Sequence, residues 1–382
     1  MEKIRLGDVV EISNGFAFKS KNYTNNGIRI IRIANVQKGY IEDTSPVFYP
    51  KNSKGIERYM LKKDDLLVSL TGNVGRVAIL NEKFLPAALN QRVACLRVKT
   101  NKITKDYLFH FLNSNYFEQQ CISASKGVAQ KNISTKWLRT CEIPLYPKEK
   151  QFKIGEILGK LRNIKEAKMQ EIEQLNEMVK ARFVEMFGNP VSNPYGWKKV
   201  KLSELGTLAR GKSKHRPRNA PELLGGPYPL IQAGDVAAAG LYITECHNTY
   251  SELGLRQSRM WKAGTLCITI AANIAQTAIM TFDACFPDSV VGFVPVTYIG
   301  TVYMHYWFSF FQKILEEQAP QVAQKNINLK ILSDLSVIVP PQERISAFND
   351  FVRQVNKSKV AIQKSLDETQ LLFDSLMQKY FK

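Results

Sequence analysis

The densest group of chemically active side chains in this 382-residue chain is Arg210, Lys212, Lys214, Arg216 and Arg218, five cations in nine residues, broken by His215 and Pro217. An ordinary solvated loop could carry the same composition, so the overall charge has to decide. The chain holds 53 Lys and Arg against 34 Asp and Glu, a net +19, and a surplus of that size favours a polyanionic partner, nucleic acid first. Cations hold phosphates in place, whereas base edges are read by Arg, Lys, Asn and Gln. Residues of those four types flanked by strand-like apolar runs are therefore the candidate contacts. In the first part of the chain they are Lys19, Lys21, Arg32, Asn35, Asn73, Arg76, Asn90, Gln91, Arg92 and Lys126. In the second part Gln232, Asn273 and Gln276 join the five cations.

Other chemistries leave no trace in the residue spacing. No GxxxxGK[ST] phosphate loop occurs, and Gly72-Asn73-Val74-Gly75-Arg76 lacks both its lysine and its spacing. Pro287-Asp288 is followed by no nearby Glu-x-Lys, and Glu166-Ala167-Lys168 lies mid-helix, so a metal-dependent nuclease is not indicated. Asn193-Pro194-Tyr195-Gly196 lacks the second proline of an Asn-Pro-Pro-Tyr adenine methyltransferase and is better read as a linker turn. Six scattered cysteines without a CxxC pair and four histidines without HxxxH spacing suggest neither zinc nor a disulfide framework. No catalytic, cofactor-binding or metal-binding residues are expected in this chain.

The elements that must position these contacts follow from an internal repeat. Ala129-Gln130-Lys131-Asn132-Ile133 recurs letter for letter as Ala323-Gln324-Lys325-Asn326-Ile327. At the same offset Leu138 meets Leu332, Pro147 meets Pro341 and Glu149 meets Glu343; further upstream the offset drifts, so that Asn73-Val74 faces Asn273-Ile274 and Ala78-Ile79 faces Ala278-Ile279. Each copy begins with β-branched runs that read as strands, including Ile28 to Ile33, Leu66 to Leu70 and Leu266 to Ile270. Asn14-Gly15, Asn26-Gly27 and Gly225-Gly226-Pro227 read as turns, and Asp106 to Gln120 and Tyr303 to Gln318 as helices. Charge is carried by these folded parts, about +12 over residues 1–150 and about +4 over 197–340. The uncharged stretch Thr265 to Phe282 holds Asn273, Gln276 and four threonines, which suits a pair of strands better than a membrane helix. The first residues lack the apolar core of a signal peptide, which makes the cytoplasm the expected compartment.

A long helix follows in each copy, just after a proline that can open a helix but not sit inside one. In the second copy Ile345, Phe348, Val352, Val355, Lys359, Ile362, Leu366, Thr369, Phe373, Leu376 and Tyr380 alternate by three and four. The first copy repeats the pattern at Gln151, Ile154, Leu158, Leu161, Lys165, Lys168, Ile172, Leu175, Val179, Arg182 and Met186. Such seams, about 54 Å long at 1.5 Å per residue, predict two helices that pair with each other. The expected fold is α+β: two similar mixed α/β domains, residues 1–146 and 189–340, separated by an antiparallel coiled coil of helices 147–188 and 341–382.

This duplicated plan resembles the specificity subunits of type I restriction-modification enzymes over essentially the whole chain. Leu6-Gly7-Asp8, Gly72-Asn73-Val74-Gly75-Arg76-Val77-Ala78-Ile79, Gln130-Lys131-Asn132-Ile133 leading into Ile143-Pro144, and the helix openings Pro147-Lys148-Glu149-Lys150-Gln151 and Pro341-Gln342-Glu343-Arg344-Ile345 carry the likeness. Departures fall in the second copy, where alanines 272 and 275 replace Gly72 and Gly75 and Arg344 stands where the family often has Gln. The resemblance implies that each domain reads one half of a split, asymmetric double-stranded DNA site and that the helices set the distance between halves. It also implies two methyltransferase subunits, with S-adenosylmethionine, and ATP- and magnesium-dependent restriction (translocase/endonuclease) subunits as partners. Gln130-Lys131-Asn132 and Gln324-Lys325-Asn326 are common to both copies, so they suit the scaffold, a phosphate or methyltransferase docking better than base reading. The alternatives are a non-catalytic coiled-coil scaffold for an acidic protein and a DNA enzyme with a divergent site.

Overall fold

A computed structural model describes residues 2–125, 131–215, 217–271, 274–318 and 327–382. The chain forms two compact units. Residues 1–170 and 363–382 make up the first, and residues 171–362 the second.

The first unit is built on a four-stranded antiparallel sheet in the order Val10–Asn14, Val93–Val98, Leu66–Ser69, Val77–Ile79. All four residues of Leu66–Ser69 are buried, because this central strand is covered on both faces and so reads as a continuous apolar run. A three-stranded sheet adjoins it, in which Ile28–Ile31 runs antiparallel to Phe48–Tyr49 and parallel to Ala87–Leu89. Lys3–Arg5 pairs with Glu142–Pro144 and brings the two ends of the domain together. Side-chain caps start the helices: Thr104, Ser114 and Ser134 accept hydrogen bonds from the backbone N–H groups of Tyr107, Phe117 and Trp137. The stretch expected as one helix from Asp106 to Gln120 is two, Lys105–Leu112 and Asn115–Ala124. Ser114 divides them, since its hydroxyl caps the second helix in an extended conformation.

The second unit repeats this plan with insertions. Its five-stranded sheet has the order Gly206–Arg210, Val290–Pro295, Leu266–Thr269, Thr277–Met280, Tyr242–Ile243. The uncharged stretch is thus the hairpin expected of it, Leu266–Thr269 against Thr277–Met280, and among the described residues no helix is long and apolar enough to cross a membrane. Gly225-Gly226-Pro227, expected as a turn between elements, lies inside the strand Leu224–Leu230, where the pairing shifts register between Leu224 and Tyr228. Tyr107 and Tyr303 fill the same place in the two units, donating their phenolic hydrogens to the carbonyls of Pro144 (2.7 Å) and Ile338 (3.0 Å).

Both long helices form, as Lys148–Phe187 and Gln342–Phe381. In the first unit their segments run antiparallel: Tyr146, just before the first helix, donates to the Tyr380 carbonyl, and Lys168 donates to Ser365. In the second unit Lys359 donates to Asn176 (2.6 Å) and Arg344 to the Met186 carbonyl (2.8 Å). The seam positions are buried or half-buried, but the last turns bury a further set, Phe183 and Phe187 on the first helix and Met377 and Phe381 on the second. Phe183 and Phe187 enter the core of the second unit, beside Tyr303 and Phe348. Met377 and Phe381 enter that of the first, with Phe381 against Tyr107 and Phe111.

Candidate nucleic-acid interface

In the first unit, antiparallel pairing brings the end of Val10–Asn14, the end of Leu66–Ser69, the start of Val77–Ile79 and the start of Val93–Val98 to one rim of the sheet. The parallel strands Ile28–Ile31 and Ala87–Leu89 finish at the same rim, where the Asn90 N–H donates to the Ile31 carbonyl (3.1 Å) and the Phe16 N–H to the Leu89 carbonyl (2.8 Å). Backbone bonds tie the connecting turns into one surface: Leu70 to Arg92 (2.9 Å), Gly72 to Lys131 (2.9 Å) and Ile133 to Leu70 (2.9 Å). Gly15 is needed here because a Cβ would lie 2.1 Å from the Asn90 carbonyl oxygen. Five of these six strands thus carry Arg32, Asn73, Arg76, Asn90, Gln91 and Arg92 to one place, where they are exposed or half-buried. Lys19 and Lys21 sit on the exposed turn that leaves this rim. Lys126 lies outside the described residues.

The side chains are not equally available. Asn35 is 4% exposed and spent internally: its Oδ1 accepts from the Arg32 N–H (2.9 Å) and its amide donates to the Glu42 carbonyl (2.9 Å) and to Asp43 (3.0 Å). It shapes the turn that presents Arg32. Arg32 itself donates one guanidinium hydrogen to the Ser45 carbonyl (2.8 Å), and Arg76 donates one to Gln37, which in turn donates to the Ala34 carbonyl (2.9 Å). A guanidinium has five N–H groups in a fixed fork, so one such bond orients it and leaves an edge to offer.

The second unit builds the same rim with other side chains. Gln232 follows the Leu224–Leu230 strand, which lies parallel to Ala284–Cys285, and its N–H donates to Asp235 (2.7 Å) as that of Arg32 does to Asn35. Gln276 stands in the hairpin turn where Arg76 stands in the first unit. Ser69 N–H donates to the Arg76 carbonyl (2.9 Å) and Thr269 N–H to the Gln276 carbonyl (2.9 Å); the return bonds from Gly75 and Ala275 measure 2.9 and 2.8 Å. Hydroxyls close both turns, with Arg76 N–H on Ser69 (3.0 Å) and Gln276 N–H on Thr269 (3.1 Å). At the second of the two glycine-to-alanine exchanges the backbone conformation is kept: Gly75 has φ +79° and Ala275 φ +58°, both left-handed; Ala272 lies outside the described residues. Asn273 lies outside the described residues.

The cationic run starts at this rim, since Arg210 ends its strand opposite Val291. Gly211 is pressed against the chain, where a Cβ would lie 2.1 Å from the Phe286 carbonyl oxygen. The loop is pinned: the N–H groups of Lys214 and His215 donate to Gln257 (2.6 and 3.1 Å), and Ser258 donates to the Lys212 carbonyl (2.9 Å). Lys212, Lys214 and Arg218 remain exposed, Arg218 paired with Asp288 at 2.7 Å; Arg216 is outside the described residues. Sequence reasoning missed Asn14, Gln37, Gln257, Asp288 and Ser289, all at or beside the rims. Asn14 and Arg210 occupy equivalent ends of equivalent strands, opposite Ala94 and Val291, and extending the repeat to its first strand would have found Asn14 from Arg210. Of the shared Gln-Lys-Asn triplets, Lys131 and Asn132 hold the turn after Leu66–Ser69 in place through the Gly72 N–H and a bridge to Thr71; Gln130, Gln324, Lys325 and Asn326 lie outside the described residues.

A duplicated α+β protein with one polar, cation-rich rim built twice on the same scaffold is a two-headed recognition protein. Residues 1–176 and 194–372 each match the family described as type I restriction modification DNA specificity domain. The chain belongs to that family. It is 24% identical to the type I restriction enzyme EcoBI specificity subunit of Escherichia coli, over 98% of this chain and 83% of that protein. To the putative MjaX specificity subunit of Methanocaldococcus jannaschii it is 25% identical, over 94% and 89%. The MjaVIII specificity subunit of the same organism is 32% identical over 47% of this chain, a match that spans only 43% of that relative. The fold is that of the crystallised type I restriction-modification S subunit from M. genitalium, with a TM-score of 0.61 at 15% identity and coverage of 100% and 96%. A chain from work on complex assembly and conformational transition of the type I R-M system gives 0.55 at 18% identity, covering 100% and 97%.

Proposed function

We propose that this protein is the DNA-reading subunit of a type I restriction-modification complex. Each rim reads one half of a bipartite, asymmetric double-stranded site, and the chain itself carries out no catalysis. Two adenine methyltransferase subunits, with their S-adenosylmethionine, dock on it, and ATP- and magnesium-dependent restriction subunits join them, in the cytoplasm. Residues 1–146 and 189–340 act as the target-recognition modules and 147–188 and 341–382 as the helical spacer. The observation that carries this reading is the rim itself: the same backbone bonds present different polar side chains in the two units, as a reader of two unlike half-sequences requires. Phosphate contact by Lys19, Lys21, Lys212, Lys214 and Arg218 supplies affinity, and base edges supply sequence.

The test is to map methylated adenines in DNA from cells that express the chain with its methyltransferase. A split motif is expected. Replacing residues 1–146 by the matching module of a relative should change one half of it and leave the other intact. A single continuous motif, or a change in both halves, would overturn the reading.

A further inference from the structure

Two positions are matched between the units by the backbone bonds that define them and differ in what they present, although Arg32 opens the short 3-10 turn Ile33–Asn35 and Gln232 the α-helix Ala233–Ala238. The residue closing the hairpin turn is Arg76 in the first unit and Gln276 in the second, each held by the three bonds described above. The residue whose N–H is capped by a side chain three positions later is Arg32 in one and Gln232 in the other. A side chain needed by the fold keeps its chemical role in both copies, as the Tyr107 and Tyr303 phenols, the Ser69 and Thr269 hydroxyls and the Asn35 and Asp235 acceptors do. A phosphate contact would favour a cation in both, because the phosphate backbone is the same in either half-site. Arginine against glutamine satisfies neither demand. It is the exchange expected where one scaffold reads different bases: the arginine fork pairs with O6 and N7 of guanine, and the glutamine amide with N7 and N6 of adenine. Arg76 is also oriented before any DNA arrives, by Gln37, which is itself bonded to the Ala34 carbonyl, and a pre-oriented fork loses little freedom on binding.

Resting on the function proposed above, we infer that positions 76/276 and 32/232 are specificity-determining pairs. The half-site read by the first unit carries guanine where the half-site read by the second carries adenine. Asn14/Arg210 and Arg92/Ser289 lie at equivalent points of the same rims and mark where further differences between the halves should fall.

The experiment maps methylation by the full chain with its methyltransferase, for the native protein and for Arg76→Gln and Gln276→Arg. Arg76→Gln should convert one guanine of one half-motif to adenine or to an ambiguous base; Gln276→Arg should do the reverse in the other half, each leaving its opposite half unchanged. A variant that methylates nothing is decided by binding: the Arg76→Ala complex, titrated with DNA duplexes changed one base pair at a time, should lose discrimination of roughly ten-fold or more at a single base pair. An equal loss on every duplex, with a salt dependence reduced by about one phosphate, would make Arg76 a backbone contact and overturn the inference. So would unchanged motifs from active variants. A native chain giving one continuous motif would instead overturn the function proposed above, which a native split motif with unresponsive variants leaves standing.

Discussion

His110 shows how a polar side chain in this chain can be structural and still be measurable. It is 3% exposed beneath the first unit's helices, with its ring against Phe109 and near Phe373. Burial first, and the Arg162 guanidinium second, push its pKa down from the usual imidazole range to about 4. The folded ring is therefore neutral at pH values where the unfolded chain, with a pKa of about 6.5, binds a proton. This stability is complete above about pH 6.5 and is lost as the pH falls toward 4, by on the order of 3 kcal/mol. The urea midpoint of the first unit should drop between pH 7 and pH 4.5, and His110→Gln should flatten that dependence; an unchanged slope in the variant would show that other groups carry it. The rim residues obey the opposite logic. Arg32, Arg76, Gln232 and Gln276 sit at strand ends, where the backbone is satisfied by the fold and the side chain is not consumed by it.

At the level of elements, the helix seams combine packing with deliberate interruptions. Lys359 is half-buried at a core position; burial pushes its pKa down, against the pull of Glu173, and its ammonium donates to Asn176. Lys165, its counterpart in the repeat, lies 5.1 Å from the Phe373 ring centroid. A charge in such a seam costs desolvation that one hydrogen bond offsets only in part, so an apolar side chain of similar length should be tolerated or favoured. Lys359→Met is expected to leave the second unit as stable or to raise its stability by about 1 kcal/mol. Urea denaturation followed by helical circular dichroism would check this, and a loss larger than that gain would mean the Lys359–Asn176 bond is a net stabiliser. The interrupted helix at Asn113-Ser114 makes a related point. Apolar period alone runs straight through it, and only the competition of the Ser114 hydroxyl for the Phe117 N–H ends one helix and starts the next.

For the molecule as a whole, the decisive feature is that the first unit is closed by residues from the far end of the chain. Phe381, next to the last residue, is 1% exposed and packs among Tyr107, Phe111 and Met377, its ring tilted against the first and edge-on to the second. Truncating a buried phenylalanine leaves a cavity and typically costs about 3–5 kcal/mol. Phe381→Ala should therefore destabilise the first unit by that order while sparing the second, because Phe381 contributes to one core only. Hydrogen exchange read separately over residues 60–112 and 260–310 would show it; equal loosening of both would mean the units do not unfold independently. A module exchange that also replaces residues 363–382 should accordingly be more stable than one that replaces residues 1–146 alone.

Repetition, composition and spacing were enough to establish the duplicated α+β plan, the two long helices, the hairpin at Thr265 to Phe282 and the family resemblance. Each of these is a local or periodic property, recorded in neighbouring residues or in one copy against the other. They could not reveal that Phe183, Phe187, Met377 and Phe381 are core residues, because the seam describes only the face that meets a helix and not the face that meets a domain. Nor could they separate Asn35, spent on holding a turn, from Arg32, presented by it. That distinction depends on Glu42 and Asp43, whose approach is set by the fold. Residue type and flanking apolar runs mark the candidate contacts, and the sheet register gathers most of the described ones at one rim in each unit. The offset that sets Asn73-Val74 against Asn273-Ile274 already pairs Arg76 with Gln276, but strand pairing between residues far apart in sequence decides which turns become neighbours, so only the tertiary structure could show that each stands in the same turn of one rim.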